Sequence, residues 1–593
     1  MPRLSISYDP IDRNAVLTCN DQASWVKISR VCIEHSDQVS ISGSQTLTIP
    51  WWQFLSCRDA IGFHVTRGHL DLDIDPEATQ LLQKAAERTR TFESRGDQLP
   101  LERLRERLVQ NGFTRALTAE QERNVSRLAT LPSAATFSVP GAGKTTEALA
   151  VFFLNRKSDT RLLVIAPKNA FAAWEQELRL CVPRTDLNFQ RLVGGEARIG
   201  AILRSEAAPK LMLITYHQFQ FVRNVVAPIL VENTWVFLDE SHRIKRGLDG
   251  KIANTILSIS HIPDFKLILS GTPMPNATSD LVPQFGFLFP EIEASDASVT
   301  SLIQPIYVRT TKSELRLREP DRYLVPVPMT DLQRRLYRLA RSEAAREAEL
   351  SLRDRRKIRA LGRSVIRLLQ ITSNPALVAK GADLPQDILA DLLSSDDSPK
   401  LREACDRARK LARDGKKVVV WTTFVDNVEL IARRLADLGA AYIHGGVDAG
   451  SEEEEETREW KIKNFHEPGR NWVLVANPAA CGEGISLHEV CHHAIYVDRN
   501  YNAAQYLQSE DRIHRLGLPK NQATTVEILC CPDSIDESVN ERLIMKARRM
   551  GEVLNDHDLH IDPISFDPEA IDDDEALDDD DVASLLAHLK EEV

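Results

Sequence analysis

The sequence predicts an α/β protein with two parallel-sheet lobes joined by a helical bridge. A small β-rich domain precedes the lobes and an acidic tail follows them. Two sets of short apolar runs, one within residues 115–295 and one within residues 399–550, predict the lobes. Such runs, separated by helix-prone stretches, are typical of parallel strands buried on both faces. The length of 593 residues is enough for three or four domains of about 150 residues each.

Residues 1–95 form the predicted N-terminal domain. Short β-prone runs at 4–8, 15–18 and 40–48 alternate with turn residues, and a helix-prone stretch follows at 76–90. The Trp51-Trp52 pair is interpreted as part of the core of this domain rather than as a contact surface. We therefore expect an accessory β-rich domain.

Eight apolar runs predict the strands of the two lobes. In the first lobe they cover 162–166, 211–215, 235–238 and 266–270, and in the second 418–421, 472–476, 494–497 and 524–529. Residues 296–398 are assigned to the bridge and its linker, because 330–380 is helix-prone and arginine-rich and 381–399 is acidic and turn-rich.

The negative charge of the chain is concentrated at its C-terminal end. The net charge is −12, and residues 556–593 hold fifteen Asp or Glu against one Lys, a balance of −14. The preceding 555 residues therefore carry +2, which leaves nucleic acid possible as a partner. Within the tail, Val582, Leu585, Leu586, Leu589 and Val593 follow helical spacing. They predict a docking segment, either for a protein partner or for the basic surface of the chain itself.

Composition excludes several classes of protein. No run of about 18 apolar residues is available to span a membrane, and the N-terminus lacks the apolar core of a signal peptide. Nine cysteines include no Cys-x-x-Cys pair, so we expect neither a disulfide framework nor a zinc site. A reducing, cytoplasmic location is expected, with association to the nucleoid if the source is bacterial.

A phosphate-binding loop is predicted at residues 138–146, where Ser-Val-Pro-Gly-Ala-Gly-Lys-Thr-Thr lies between a β-prone run and a helix-prone one. Gly141 and Gly143 would let backbone amides and the helix N-terminus face the phosphates. Lys144 would pair with the β and γ phosphates, and Thr145 would bind Mg²⁺. Ser138 stands where the full pattern has glycine.

An acidic pair follows an apolar strand about 95 residues later, in Val-Phe-Leu-Asp-Glu-Ser-His at 236–242. This spacing brings the carboxylates to the carboxyl edge of the sheet, beside the phosphate loop. Asp239 would bind Mg²⁺, and Glu240 would orient and deprotonate an attacking water. The two motifs together predict nucleotide hydrolysis.

From about residue 117 to 549 the chain resembles the Swi/Snf-type DNA-dependent ATPases of helicase superfamily two. The resemblance begins with Leu-Thr-Ala-Glu-Gln at 117–121 and with the run 163–177, which includes Ala-Pro-Lys at 166–168 and Trp174. Ile-Thr-Tyr at 214–216 and Ser-Gly-Thr at 270–272 follow. It continues with Tyr-Val-Arg-Thr-Thr-Lys at 307–312 and with the run from Met329 to Tyr337.

The second lobe supplies the most specific match, Gln-Ser-Glu-Asp-Arg-Ile-His-Arg-Leu-Gly at 508–517. Its Arg512 and Arg515 are three residues apart and are predicted to share one helical face. Both would reach the γ-phosphate across an interlobe cleft as arginine fingers. The run 477–487 keeps Gly484 of the family's glycine-rich element, and Tyr501 replaces the usual Trp.

The resemblance implies two RecA-like lobes, ATP and Mg²⁺ as cofactors, and movement along double-stranded DNA. It implies that Gln121 reads the adenine base and that Thr146 and Gly484 also lie at the nucleotide. The residues expected to contact DNA are Lys168, Thr215, Tyr216, Thr423, Asn477 and Tyr501.

Several functions remain open at this point. The chain has no recognisable chromatin-reading module, which favours a compact microbial member, with protein partners bound by the N-terminal domain or the tail. An ATP-switched assembly platform and a strand-separating helicase are the alternatives. DNA repair and defence against phage are both compatible with the sequence.

Overall fold

The structure is a computed structural model of the chain. It describes residues 2–94, 98–205, 207–231, 233–247, 250–351, 355–380, 398–448, 453–481, 485–515, 517–518, 522–556 and 559, without the side chains of 347–362 and 380. The chain divides into two compact units. The first comprises the described residues up to Met274 and those from Thr278 to Thr310, and the second comprises Pro275–Ala277 and the described residues from Thr311 onward.

The first unit begins with a five-stranded sheet. Its strands are β1 Arg3–Asp9, β2 Asn14–Cys19, β3 Ser40–Ser42, β4 Thr46–Pro50 and β5 Asp71–Ile74. They run in the order β3-β4-β2-β1-β5, antiparallel except for β1 and β5. Helices α1 Gln22–His35, α2 Trp51–Arg67 and α3 Pro76–Ser94 complete the domain. The predicted sheet is confirmed, and α1 and α2 are additions that the alternating pattern did not reveal.

Trp51 anchors the core of this domain, as predicted. It is fully buried and packs edge-on against Tyr8, with 5.1 Å between ring centroids. The same Tyr8 hydroxyl bonds Nε2 of His261, in the following lobe, at 2.9 Å. The Arg88 guanidinium donates to the carbonyls of His261 and Pro263. These contacts fix the domain to the lobe within the first unit.

The first lobe has a seven-stranded, fully parallel sheet of order β12-β6-β11-β10-β7-β9-β8. The strands are β6 Ser133–Thr136, β7 Arg161–Ile165, β8 Phe189–Arg191, β9 Leu211–Ile214, β10 Thr234–Asp239, β11 Phe265–Leu269 and β12 Tyr307–Val308. The helices are α4 Leu101–Gln110, α5 Ala119–Leu128, α6 Lys144–Asn155, α7 Phe171–Cys181, α8 Glu196–Arg204, α9 Tyr216–Val226, α10 Lys251–Leu257, α11 Leu281–Leu288 and α12 Val299–Ile303. All four predicted strands of this lobe are present.

The second unit holds a six-stranded parallel sheet of order β13-β18-β17-β14-β16-β15. The strands are β13 Asp321–Pro326, β14 Lys417–Trp421, β15 Ala441–Ile443, β16 Val473–Ala476, β17 Cys491–Tyr496 and β18 Thr525–Cys530. The helices are α13 Asp331–Ser351, α14 Arg355–Ser373, α15 Pro399–Arg413, α16 Val425–Arg434, α17 Arg458–His466, α18 Pro478–Cys481, α19 Ala503–Glu510 and α20 Ile535–Val553. The two predicted parallel-sheet lobes are therefore confirmed.

The segment predicted as a bridge contributes to both sheets. Strand β12 joins the first sheet beside β6, and β13 joins the second beside β18. Helices α13 and α14 pack in the second unit, where the buried Lys400 ammonium pairs with Asp536 at 2.6 Å. The Thr372 hydroxyl donates to the same carboxylate.

Among the described helices, none has the length and apolar character needed to cross a membrane.

Candidate nucleotide site

The phosphate loop follows β6 and leads directly into α6. Gly141 and Gly143 have φ values of 84° and 87°, in the left-handed region that side chains disfavour. Gly143 is the residue before α6, so the free amides of the helix N-terminus begin at Lys144. The Lys144 ammonium donates to the carbonyl of Ser138 at 2.9 Å, which holds it over the loop. Thr145 is partly exposed.

Gln121 lies against this loop, where the resemblance predicts an adenine contact. Its side-chain amide donates to the carbonyl of Ala142 at 3.0 Å, and its oxygen accepts from the backbone of Thr118 in a capping box. A Cβ at Gly143 would lie 2.3 Å from Gln121 Nε2. The structure therefore brings Gln121 to the loop, while the base contact stays a prediction.

The acidic pair lies at the end of β10. Strand β11 lies between β10 and β6, the strand that leads into the phosphate loop. Asp239 Oδ2 accepts the indole N–H of Trp174 at 2.8 Å, and Oδ1 accepts the backbone N–H of Glu240 at 3.0 Å. Glu240 has φ 53° and ψ 54°. A left-handed backbone at a residue other than glycine costs about 1 kcal/mol or more and is frequent at functional sites.

His242 lies 3.4 Å from the Glu240 carboxylate and hydrogen-bonds the Ser270 hydroxyl at 3.1 Å. Burial, together with the nearby cations Arg243 and Lys245, lowers the pKa of His242 well below its ordinary value. The imidazole is therefore neutral near pH 7 and does not neutralise Glu240. It links the acidic pair to the segment Ser270–Thr272.

Gly271 brings that segment against the phosphate loop. A Cβ on Gly271 would lie 2.8 Å from Cδ of Pro140 and 3.5 Å from the Lys144 ammonium. A proline ring is not the flexible end of a side chain, so this close approach requires glycine. Three separate motifs thus meet at the loop in the first unit.

A fully buried cluster of polar side chains surrounds Ser138, the first residue of the phosphate loop. Asn124 donates to Glu147 Oε1 at 2.7 Å and to the Thr310 hydroxyl at 2.9 Å, and Thr136 donates to Glu147 Oε2 at 2.9 Å. The Ser138 hydroxyl accepts the backbone N–H of Thr310 at 3.0 Å. Burial raises the pKa of Glu147 to about 7, although the hydrogen bonds from Asn124 and Thr136 oppose the shift.

Thr146 was also predicted at the nucleotide. Its hydroxyl donates to Glu177 Oε2 at 3.0 Å, and the residue is 1% exposed. This side chain supports α7 from inside the lobe, and a nucleotide contact by its backbone stays a prediction. Gly484, the remaining predicted nucleotide contact, lies outside the described residues.

In the second unit, the prediction that Arg512 and Arg515 share one helical face is wrong. Helix α19 ends at Glu510, and residues 511–515 form turns and bends. One of their hydrogen bonds joins residues three positions apart, from the Ile513 N–H to the Glu510 carbonyl. Further along, Gly517 has φ 109°, in the left-handed region. Arg512 is buried and donates to the carbonyls of Gln508 and Ile485 at 2.9 and 3.0 Å.

The acids that precede these arginines have other partners. Glu510 is fully buried and accepts both arms of the Arg322 guanidinium at 2.6 and 2.8 Å, and Asp511 pairs with Lys312 at 2.7 Å. Burial alone would raise the pKa of Glu510, but Arg322 and Lys312 outweigh it and lower the pKa to about 2. Arg515 is partly buried, its guanidinium interacts electrostatically with Asp511 and Glu489, and burial lowers its pKa.

Of the six residues predicted to contact DNA, two have accessible side chains, namely the exposed Lys168 and the partly exposed Thr215, which caps α9. Tyr216, Thr423, Asn477 and Tyr501 are each 3% exposed or less. Tyr216 donates its hydroxyl to the Asp239 carbonyl at 2.8 Å. Thr423 and Asn477 are joined at 2.8 Å, and Thr423 also bonds Asp498. Direct DNA contact stays a prediction for all six.

Magnesium and a nucleotide can be tested against the residues present. Asp239 offers carboxylate oxygens at the end of β10, and Thr145 offers a hydroxyl at the start of α6. Oxygen donors of this kind suit Mg²⁺. The two left-handed glycines and the helix N-terminus suit phosphate. The residues therefore fit both groups.

Trp174, Asn124 and Gly271 belong to the site, although the sequence predicted no role for them. Trp174 lies within a motif that the resemblance included, so a signal was present, but its contact with Asp239 was not. Asn124 of α5 and Glu147 of α6 carried no signal, because a single polar residue in a helix looks in the sequence like part of a solvated face. The class of protein is thus a phosphate-loop nucleotide-binding protein with an acidic pair beside the loop.

Comparisons with known proteins agree with that class. The family model described as SNF2-related domain matches residues 137–299, and the helicase conserved C-terminal domain matches residues 400–517. The mouse (Mus musculus) chromodomain-helicase-DNA-binding protein 1-like is 25% identical over 446 residues, 70% of this chain and 47% of the relative. The Schizosaccharomyces pombe chromatin remodeling factor mit1 is 25% identical over 437 residues, 67% of this chain and 30% of the relative.

The chain thus matches the Swi/Snf-type ATPases of helicase superfamily two over residues 137–299 and 400–517. It spans less than half the length of the two relatives. Among solved structures, a Sulfolobus solfataricus SWI2/SNF2 ATPase core in complex with dsDNA matches with 20% identity and a TM-score of 0.32, over 76% of this chain and 95% of that one.

Proposed function

We propose that this chain is a DNA-dependent ATPase that translocates on, or remodels, double-stranded DNA or its protein complexes. The observation that carries the proposal is the arrangement at the phosphate loop. Gly143 starts α6 in a left-handed conformation, and Gly271 approaches Pro140 beside Lys144. The Asp239–Glu240 pair lies at the end of β10 in the same sheet. This set of groups suits a nucleoside triphosphate and an attacking water.

Each group has a defined task in the proposed reaction. Lys144 would neutralise charge on the β and γ phosphates, and Thr145 and Asp239 would hold magnesium. Bound magnesium would neutralise charge that develops on the phosphates. Glu240 would accept the proton of the attacking water. The neutral His242 imidazole lies 3.4 Å from the Glu240 carboxylate and would not compete with the attacking water for its proton acceptor as a cationic partner would.

A route from DNA to these groups exists within the first unit. Thr215 caps α9, and the next residue, Tyr216, donates its hydroxyl to the backbone carbonyl of Asp239 at 2.8 Å. DNA bound at Lys168 and Thr215 would therefore press on the element that supports Asp239. This supports stimulation of hydrolysis by DNA, since the named relatives include a helicase-DNA-binding protein and chromatin remodeling factors.

The remaining parts of the proposal concern the second unit and protein partners. Arg515 would act on the γ-phosphate, whereas the Arg512 guanidinium is held by two backbone carbonyls. Protein partners would bind the N-terminal domain or the acidic segment 556–593. The proposal includes a cytoplasmic location, with association to the nucleoid if the source is bacterial.

The decisive experiment compares ATP hydrolysis without nucleic acid and with single-stranded DNA, duplex DNA or RNA. We expect the highest rate with duplex DNA, and we expect Glu240→Gln to bind ATP but lose turnover. Glu175→Gln, at a carboxylate that pairs with Arg191 on the surface of the same lobe, is the matched control. Equal rates under all four conditions would contradict the proposal. Displacement of a triplex strand indicates translocation, and separation of a forked duplex would indicate a helicase.

A further inference from the structure

The hairpin of α13 and α14 carries an unusual concentration of positive charge. Residues 331–373 contain twelve Lys or Arg and five Asp or Glu, a net charge of +7. The first 555 residues together carry only +2, so the rest of this part of the chain is net negative. A cluster of this kind is a candidate surface for a polyanion.

Helix α13 displays its arginines on the side away from its packed face. Leu336, Tyr337 and Ala340 are buried. On the opposite side, four exposed arginines fall within an arc of about 120° at 100° per residue. They are Arg334, Arg335, Arg338 and Arg346. By the same spacing, the sequence puts two acidic residues of α13, Asp331 and Glu349, on this arc.

Three of these arginines lack an acidic partner within the part of the chain that the structure describes. Arg334, Arg335 and Arg338 form no ion pair or hydrogen bond through their guanidinium groups with the described residues. By contrast, Arg367 of α14 pairs with Glu343 at 2.7 Å. Exposed arginines usually find such partners at little energetic gain, so three adjacent groups without one leave a locally uncompensated positive face.

The helix that carries this face is firmly held. Gln333 donates its amide to the carbonyls of Ile371 and Thr372, at 2.6 and 3.1 Å. The Tyr337 hydroxyl accepts the backbone N–H of Ile535 at 2.7 Å. The face is therefore fixed to the core of the second unit, and binding through it need not first order a mobile segment.

The dimensions of the face suit a nucleic-acid backbone. From Arg334 to Arg346 the helix extends about 18 Å, which corresponds to about five phosphates of one strand at 3.4 Å each. Guanidinium groups bind phosphate through paired N–H donors. We propose that the exposed face of α13, comprising Arg334, Arg335, Arg338 and Arg346, binds the phosphate backbone of DNA without reading its sequence. The inference rests on the proposed DNA-dependent function and adds a contact surface outside the motifs that carry it.

The experiment uses the full-length chain with Arg334→Gln, Arg335→Gln and Arg338→Gln combined. The control combines Lys410→Gln, Arg413→Gln and Lys416→Gln, three exposed cations elsewhere in the same unit. Duplex affinity is measured from 50 to 300 mM salt. We expect the slope of log affinity against log salt to fall by about 2 to 3 in the first variant only, since each phosphate contact contributes about 0.9. Affinity at low salt should fall about tenfold or more, with basal ATPase activity unchanged.

Other outcomes separate this inference from the proposed function. In one outcome, duplex DNA binds the wild-type chain and stimulates its ATPase activity, but the two variants have the same slope of log affinity against log salt as each other. The α13 face is then not a DNA surface, and the proposed function stands. A higher affinity in the first variant would show that this face holds the acidic segment 556–593 instead, and would overturn the inference. Absence of stimulation in the wild-type chain would contradict the proposed function alone, because the slopes still report on binding.

Discussion

Trp174 donates its indole N–H to Oδ2 of Asp239 at 2.8 Å, across the interior of the first lobe. The indole is fully buried, so this bond is shielded from water. Because Oδ1 accepts the backbone N–H of Glu240, both oxygens of the carboxylate have fixed directions. An indole donor therefore sets the orientation of the proposed magnesium ligand.

Trp174→Phe should remove the donor and keep most of the packing. We expect the magnesium concentration for half-maximal ATPase activity to rise 10- to 100-fold, as is typical when a group that orients a metal ligand is lost. A magnesium titration of turnover measures this shift. Trp235→Phe is the control, because Trp235 stacks on Phe265 in the same lobe at 4.1 Å between centroids. An equal shift in both variants would indicate a general packing effect.

Gly271→Ala should disturb the phosphate loop directly. The new Cβ would lie within 3 Å of the Pro140 ring, so either the loop or the segment Ser270–Thr272 must move. We expect turnover to fall 10- to 100-fold, since displacements of about 1 Å at reacting groups have effects of this size. Steady-state kinetics measure the loss. Gly195→Ala, where a Cβ meets nothing within 4 Å, should behave as wild type.

Glu147 should make stability depend on pH around neutrality. Its pKa of about 7 in the folded chain lies above its ordinary value of 4.5, because the carboxyl is buried. The fold thus favours the protonated form, and this contribution is complete below about pH 4.5 and is lost as the pH rises through about 7. The difference of about 2.5 units corresponds to at most about 3 kcal/mol.

Glu147→Gln should remove that dependence and retain the hydrogen bond from Asn124. We expect similar free energies of unfolding for variant and wild type near pH 4.5, and a more stable variant, by up to about 3 kcal/mol, above pH 8. Urea denaturation between pH 4.5 and 9 tests this. Glu196→Gln, at an exposed position on α8, serves as the control. Parallel pH profiles for Glu147→Gln and wild type would contradict the assignment.

The sequence predicted the parts of the fold that depend on long apolar runs. Strands such as β9, Leu-Met-Leu-Ile, are buried along their whole length and have no other plausible structure. Strand β12 has two residues, and β13 lies at an edge of its sheet with half-exposed side chains, so neither gives such a run. Their positions depend on which neighbour is available, which is a property of the folded chain.

The candidate site was predictable where backbone geometry demands particular residues. Gly143 and Lys144 could be assigned because only certain residues can form a phosphate loop. The end of α19 at Glu510 could not be foreseen from Arg512 and Arg515, whose spacing equally suits a helix. Glu510, the last residue of α19, pairs with Arg322, a residue 188 positions earlier in the chain, and Asp511 pairs with Lys312. Contacts over such separations leave no local pattern.

Arg512 and Arg515 should respond differently to the same substitution. Arg512→Met removes two charge-assisted bonds to buried carbonyls, so we expect it to cost about 2 to 4 kcal/mol of unfolding free energy. Arg515→Met should leave stability nearly unchanged and lower DNA-stimulated turnover by about 10³-fold or more, with ATP affinity little affected. Urea denaturation, turnover rates and equilibrium ATP binding separate the two effects, and the exposed Arg413→Met is the control. Comparable losses of affinity and turnover in Arg515→Met would instead assign this guanidinium to binding of ground-state ATP.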